Sequence, residues 1–307
     1  MFRAIDAFIN EMKHVSAIGG VYIPNYIPYL LLVIISFVLL ILSWRKANHK
    51  ALVPYFFCTV GIVYFFEYVT LILFKGYVYF PGVFDNSYFD NVLGANVSNG
   101  LIVPSAAIFI AAFELGFWWI ALIAAVFMGI EELFLHLGIY RHFWYKTIYT
   151  GLSLLVLFHM GKWIWRIIRF RTGRFIRFNV LYYGNISVQG TFMFYLVAIF
   201  HLFFFRVNWF DDPSRGHIAF ITLYFFVDSI FYSLAVILRA HWLWNVLLIG
   251  GLACINFLLL KLSVLEISSY WVLGLLTLLQ TGELFLLMYM RKLLVNENLY
   301  ENSKNLV

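Results

Sequence analysis

Charge is what this sequence has least of. Asp, Glu, Lys and Arg make up 12% of its 307 residues, while 64% are hydrophobic; soluble domains carry roughly 25% charged and 45–50% apolar residues. A water-facing surface cannot be assembled from so few charges. Cysteine is almost missing too: Cys58 and Cys254 both lie inside apolar runs, so a disulfide framework is not indicated. No cleavable leader is expected, because Arg3, Asp6, Glu11, Lys13 and His14 break up the first twenty residues and leave no apolar h-region. The chain also lacks a phosphate-binding glycine loop, desaturase-like histidine boxes, paired Asp-rich prenyl-diphosphate motifs, a His-Glu-x-x-His signature and a mid-span lysine for retinal. Each of those chemistries needs its residues at fixed spacing. No internal repeat is visible along the chain.

What the chain does have is long apolar runs, with a mean hydropathy of +0.89. They come in blocks of about 20 residues, the length that crosses ~30 Å of hydrocarbon as a helix. A transmembrane barrel would need ~10-residue segments of alternating polarity instead. The expectation is an all-α, polytopic transmembrane helical bundle of about nine spans. These fall near 23–44, 51–74, 98–113, 115–139, 146–165, 178–205, 217–238, 241–262 and 268–290. Asn99 to Tyr140 is too long for one crossing, and Glu114-Leu115-Gly116 is its only polar break, so a tight helical hairpin is expected there.

With the N-terminus outside and the C-terminus inside, thirteen Lys and Arg fall in inner segments and eight in outer ones, the bias expected of cytoplasmic loops. The net charge of +6 is thus accounted for by span ends, without nucleic acid. The reading divides the chain into an amphipathic interfacial segment (1–21), a five-span membrane half (22–165), a basic cytoplasmic linker (166–177), a four-span half (178–292) and a polar C-terminal tail (293–307). Ile5, Phe8, Ile9, Met12 and Val15 recur at helical spacing in the first segment, which suits a helix lying on the membrane surface or capping the bundle. Lys162, Arg166, Arg169, Arg171, Arg174 and Arg177 form a positive-inside anchor that could touch anionic lipid. Between Lys75 and Val97 an aromatic external connection is expected at the interface or folded over the bundle.

One stretch has a likeness. From Leu52 to Trp165, Tyr79-Phe80-Pro81, Phe84, Pro104, Glu131, Tyr140 and Trp144 occur in an order that resembles an uncharacterised family of small multi-pass membrane proteins from Firmicutes. The resemblance implies a Gram-positive cytoplasmic membrane and brings no activity with it.

Ionisable residues inside spans cost roughly 2.5–3.5 kcal/mol each on insertion scales, so they face protein and mark candidate sites. At 100° per residue, Ala121, Ala125, Gly129, Glu132 and His136 share one face of the fourth span. Small residues at that spacing signal close helix contact, so Glu132 and His136 are expected to point into protein, where they could share a proton or a divalent metal or belong to a hydrogen-bonded structural cluster. Glu67 lies at comparable depth and could complete the group, making Glu67, Glu132 and His136 the candidate metal ligands. Glu131 projects elsewhere and needs its own partner.

On the seventh span His217, Tyr224, Asp228, Tyr232 and Arg239 form a polar lane, faced from the ninth span by Gln280 and Glu283. It could line a solute or proton path, or serve as interhelical hydrogen-bonding glue. The leading functional expectation is binding or transport of an ion, proton or small amphiphile through a polar-lined cavity. The alternatives are a membrane-embedded, metal-dependent enzyme acting on a lipid-like substrate, and a non-catalytic assembly partner. No catalytic residue can be named.

Overall fold

Among the described residues nine helices account for most of the chain. The computed structural model describes residues 16–18, 21–170 and 173–304, with side chains over 24–170 and 173–294. The helices are α1 (Tyr26–Ala47), α2 (Leu52–Glu67, continued by a π-helical stretch Tyr68–Leu73), α3 (Ser87–Ala112, with a π-helical stretch Ser98–Ile102), α4 (Phe117–His136), α5 (Thr147–Phe170), α6 (Arg174–Phe200), α7 (Pro213–Ile237), α8 (Trp242–Lys261) and α9 (Trp271–Lys304). Eight of them are long and apolar enough to cross a membrane; α6 is not among the eight.

Several expectations shift. The amphipathic segment over 1–21 lies outside the described residues, apart from β1 (Ser16–Ile18), which pairs antiparallel with β2 (Val21–Ile23). The basic linker over 166–177 shrinks, because α5 runs to Phe170 and α6 begins at Arg174. The C-terminal tail is largely a continuation of α9. α3 starts at Ser87, well before the expected 98, since the polar residues that seemed to mark a loop are consumed in buried hydrogen bonds. Asn91 Oδ1 accepts from Tyr79 N at 2.8 Å, and Asp90 accepts from the backbone N–H groups of Gly82, Val83 and Phe84.

The chain resolves into two compact units, one taking in α1 and Val69–Trp163, the other Asn48–Tyr68 and the residues from Ile164 onward. In the first, β3 (Tyr77–Tyr79) pairs antiparallel with β4 (Tyr140–His142). Their tyrosines form the middle of a core with Tyr29, Leu71, Phe134 and Tyr145. In the second, α6 packs against the first part of α2, α7 and α9, and β5 (Phe203–Phe205) pairs with β6 (Leu265–Ile267). A Cβ on Gly61 would stand 1.9 Å from the Tyr183 carbonyl oxygen, so α2 and α6 touch backbone to backbone where only glycine fits. The buried face of α6 can carry Asn185 and Gln189 because neighbouring helices meet their polar groups.

A regularity emerges that side-chain identity conceals. From α2 to α5 and again from α6 to α9, the order is helix, strand, helix, tight turn, helix, strand, helix. β3 and β5 start at Tyr77 and Phe203, 126 positions apart, and β4 and β6 start at Tyr140 and Leu265, 125 apart. Left-handed residues keep the register: Lys75 with His201, Glu114 with Arg239, and Gly138 with Ser263. Glu114 and Arg239 end their helices with the same pair of bonds, Leu115 N to Ile110 O and Ala240 N to Ala235 O closing the outer ring, a Schellman closure. Asn86 and Asp212 cap α3 and α7, each accepting from two backbone N–H groups.

Candidate functional site

The most polar interior lies in the unit of α6, α7 and α9. The α6 residue Gln189 is 1% exposed, and its amide nitrogen donates to Asp228 Oδ2 on α7 at 3.0 Å and to Glu283 Oε2 on α9 at 2.9 Å. Both amide hydrogens are therefore used, one on each carboxyl group. Ser229 Oγ donates to Gln189 Oε1 at 3.3 Å and receives the Asn185 amide at 3.0 Å. Asp228 and Glu283 are 3% and 7% exposed. Their described hydrogen-bond partners, Gln189 and Ser229, are neutral.

Around this pair the same helices leave acceptors open. Tyr232, fully buried, donates to the Gln280 carbonyl at 3.0 Å, and Tyr224 points its hydroxyl at Asn256 Oδ1 on α8 at 3.4 Å. Gln280 Oε1 and Ser233 Oγ are buried without a hydrogen-bond partner, a condition that costs roughly 1–3 kcal/mol for each group unless something fills it.

The lane along α7 is thus where the sequence puts it: Tyr224, Asp228 and Tyr232 share the buried face, joined by Gln280 and Glu283. His217, at its head, is buried and accepts from Phe205 N at 2.8 Å, stacked on Phe204. Arg239 lies beyond the helix end. The residues that sequence reasoning missed are Gln189, Asn185, Ser229 and Asn256. Asn185 and Gln189 are amides four residues apart on one helix face, a detectable signal, but a search for charged residues passes over them.

The group expected on the fourth span does not form. Glu132 and His136 are exposed, and a Cβ on Gly129 would meet nothing within 4 Å. The small-residue stripe faces outward, and the buried face carries Ile120, Ala124 and Phe134. Glu132 and His136 can stay exposed because they sit in the last turns of α4, where Glu132 accepts from Thr147 Oγ1 at 2.5 Å. Among the described residues no three His, Cys, Asp or Glu side chains lie together as a metal ion would require, so Glu67, Glu132 and His136 are not assembled. Glu131 turns inward instead and meets His142 Nε2 at 2.7 Å. It helps line a cavity of about 70 Å³ walled by Tyr79, Phe127, Phe134 and Tyr140, with Asn99 donating to the Tyr79 hydroxyl at 3.1 Å.

The basic segment is likewise redistributed. Lys162 Nζ donates to the Glu114 and Leu115 carbonyls at 3.1 and 2.6 Å, closing the C-terminal end of α3, and is committed there. Arg166 and Arg169 belong to the last turns of α5. Arg171 lies outside the described residues. No protein-family model, curated protein or solved structure matches this chain.

Proposed function

We propose that the chain is a multi-pass protein of a bacterial cytoplasmic membrane that binds or carries a small cation, the proton included, at Asp228, Gln189 and Glu283. In this reading nine helices span, with the N-terminus outside and the C-terminus inside, as the distribution of Lys and Arg favours. The likeness of the Leu52–Trp165 stretch to a Firmicutes family supports a Gram-positive membrane.

The observation that carries the reading is the neutrality of the pair's partners. Two carboxyl groups held by one amide inside a helical bundle represent negative charge that no Lys or Arg among the described residues offsets by a hydrogen bond. Removing such charge from water costs several kcal/mol per ion unless it is paired. A proton or a bound cation is the compensation such a pair calls for, and the open oxygen of Gln280, one helical turn before Glu283 on α9, is a further ligating atom of the type hard cations use. Tyr224 and Tyr232 extend hydroxyl groups along the same helix, steps by which a proton can be handed on.

Proteoliposomes holding the full chain and a trapped pH-sensitive dye test this. An imposed potential is expected to drive cation or proton flux that Asp228→Asn and Glu283→Gln each abolish. Flux at the wild-type rate in both variants, or none from wild-type protein with any alkali cation or proton gradient, overturns the reading.

A further inference from the structure

Four arginines from three different segments converge at the end of the bundle where α6 begins and α7 ends. Arg174 and Arg177 come from the first turn of α6, Arg239 from the turn after α7, and Arg291 from α9. Together with Ile237 and Leu238 they line a cavity of about 390 Å³. Among the described residues no Asp or Glu lines it. Arg291 Nη1 donates to the Val236 carbonyl at 2.5 Å, which leaves the rest of its guanidinium toward the cavity. The Arg177 Nε is buried and has no hydrogen-bond partner.

Like charges gathered in this way repel one another, and at exposed span ends they normally splay into water. Here a left-handed residue, Arg239 at φ 53°, and the start of a helix hold them together around a hollow. Guanidinium forks match the oxygens of a phosphate in pairs. The positive-inside tendency explains the presence of basic residues at this end but not their convergence.

A second cavity, of about 430 Å³, adjoins the first and shares Arg239 and Arg291 with it. Its other walls are mostly apolar, Ala235, Val236, Phe285 and Met288 among them, and Lys292 adds a further cation at its edge. Phe285 is 65% exposed and belongs to the part of α9 long and apolar enough to cross a membrane. A polar, cationic hollow opening onto an apolar groove on a membrane-facing helix is the shape of an amphiphile with a charged head. We infer that this corner binds an anionic phospholipid, its phosphate among Arg174, Arg177, Arg239 and Arg291 and an acyl chain along the groove beside Phe285 and Met288. The site is independent of the carboxyl pair.

The test uses the full chain in nanodiscs of mixed phosphatidylcholine and phosphatidylglycerol, with retained lipid read by native mass spectrometry. Wild-type protein is expected to keep phosphatidylglycerol over phosphatidylcholine, and the double variant Arg174→Gln, Arg239→Gln to lose that preference by about tenfold. Neither of these two side chains closes a helix, and Arg174→Gln alone, at an exposed position, serves if the double variant fails to fold. Arg215→Gln, on the first turn of α7, is the control and should change nothing. Equal retention of both lipids, an unchanged preference in the arginine variants, or full displacement of phosphatidylglycerol by inorganic phosphate overturns the inference, the last by making the ligand a soluble anion.

Discussion

Each unit buries carboxylate chemistry, and the two do so differently. Beside β4, Glu131 is matched by His142 and walled by aromatic rings, so its polar needs are met within the unit. Between α6, α7 and α9, Asp228 and Glu283 share one neutral amide. Val103 and Phe158, the residues 125 positions before Asp228 and Glu283, are both buried and apolar. The same order of elements therefore carries a sealed hydrophobic layer in one series and an acidic pair in the other. Function can differ between two copies of a framework because the framework is held by backbone bonds at turns, leaving helix interiors open to change.

The sharpest break in that comparison is Gln189→Leu. It deprives two buried carboxyl groups of their donor and is expected to cost about 3–5 kcal/mol, seen as a large fall in the thermal unfolding midpoint in detergent. A midpoint within a degree or two of wild type would mean that the pair does not depend on the amide. Next comes a matched pair of glycines. Gly61→Ala meets the Tyr183 carbonyl and should cost about 1–3 kcal/mol, while Gly129→Ala has open space and should leave the midpoint unchanged or slightly raised.

Glu131→Gln keeps a hydrogen bond to His142 and is expected to cost only about 1 kcal/mol; a loss as large as that of Gln189→Leu would place the two interiors in one class. The smallest effect belongs to Arg206 and Glu266, an exposed ion pair at 2.8 Å across the β5 and β6 edge. Glu266→Gln should change stability by less than about 1 kcal/mol, and less still in high salt.

Much of the helical framework was legible in the residues, since runs of apolar side chains fix span length whatever packs beside them. Asp228, Tyr232, Gln280 and Glu283 were also legible, because a charge in an apolar run stands out and helical spacing gives its face. Glu132 and His136 misled for a physical reason: near a helix end an exposed charge costs little, so a small-residue stripe there need not be a contact. Gln189 escaped notice because an amide carries no charge. The recurring order of elements escaped too, because its markers are dihedral angles, and at Lys75, His201, Glu114, Arg239 and Ser263 they fall on residues other than glycine.

The π-helical stretch Tyr68–Leu73 in α2 gives the chain one more property. Each such bulge inserts an extra residue and advances the azimuth of everything after it by about 100°. Residues before Tyr68 belong to one compact unit and those from Val69 belong to the other. The helix thereby changes the azimuth of its side chains in mid-course without a loop. Deleting one residue from this stretch would restore ordinary winding and, with the helix before it held in place, turn Leu71 by about 100° out of the core it shares with Tyr77 and Tyr145.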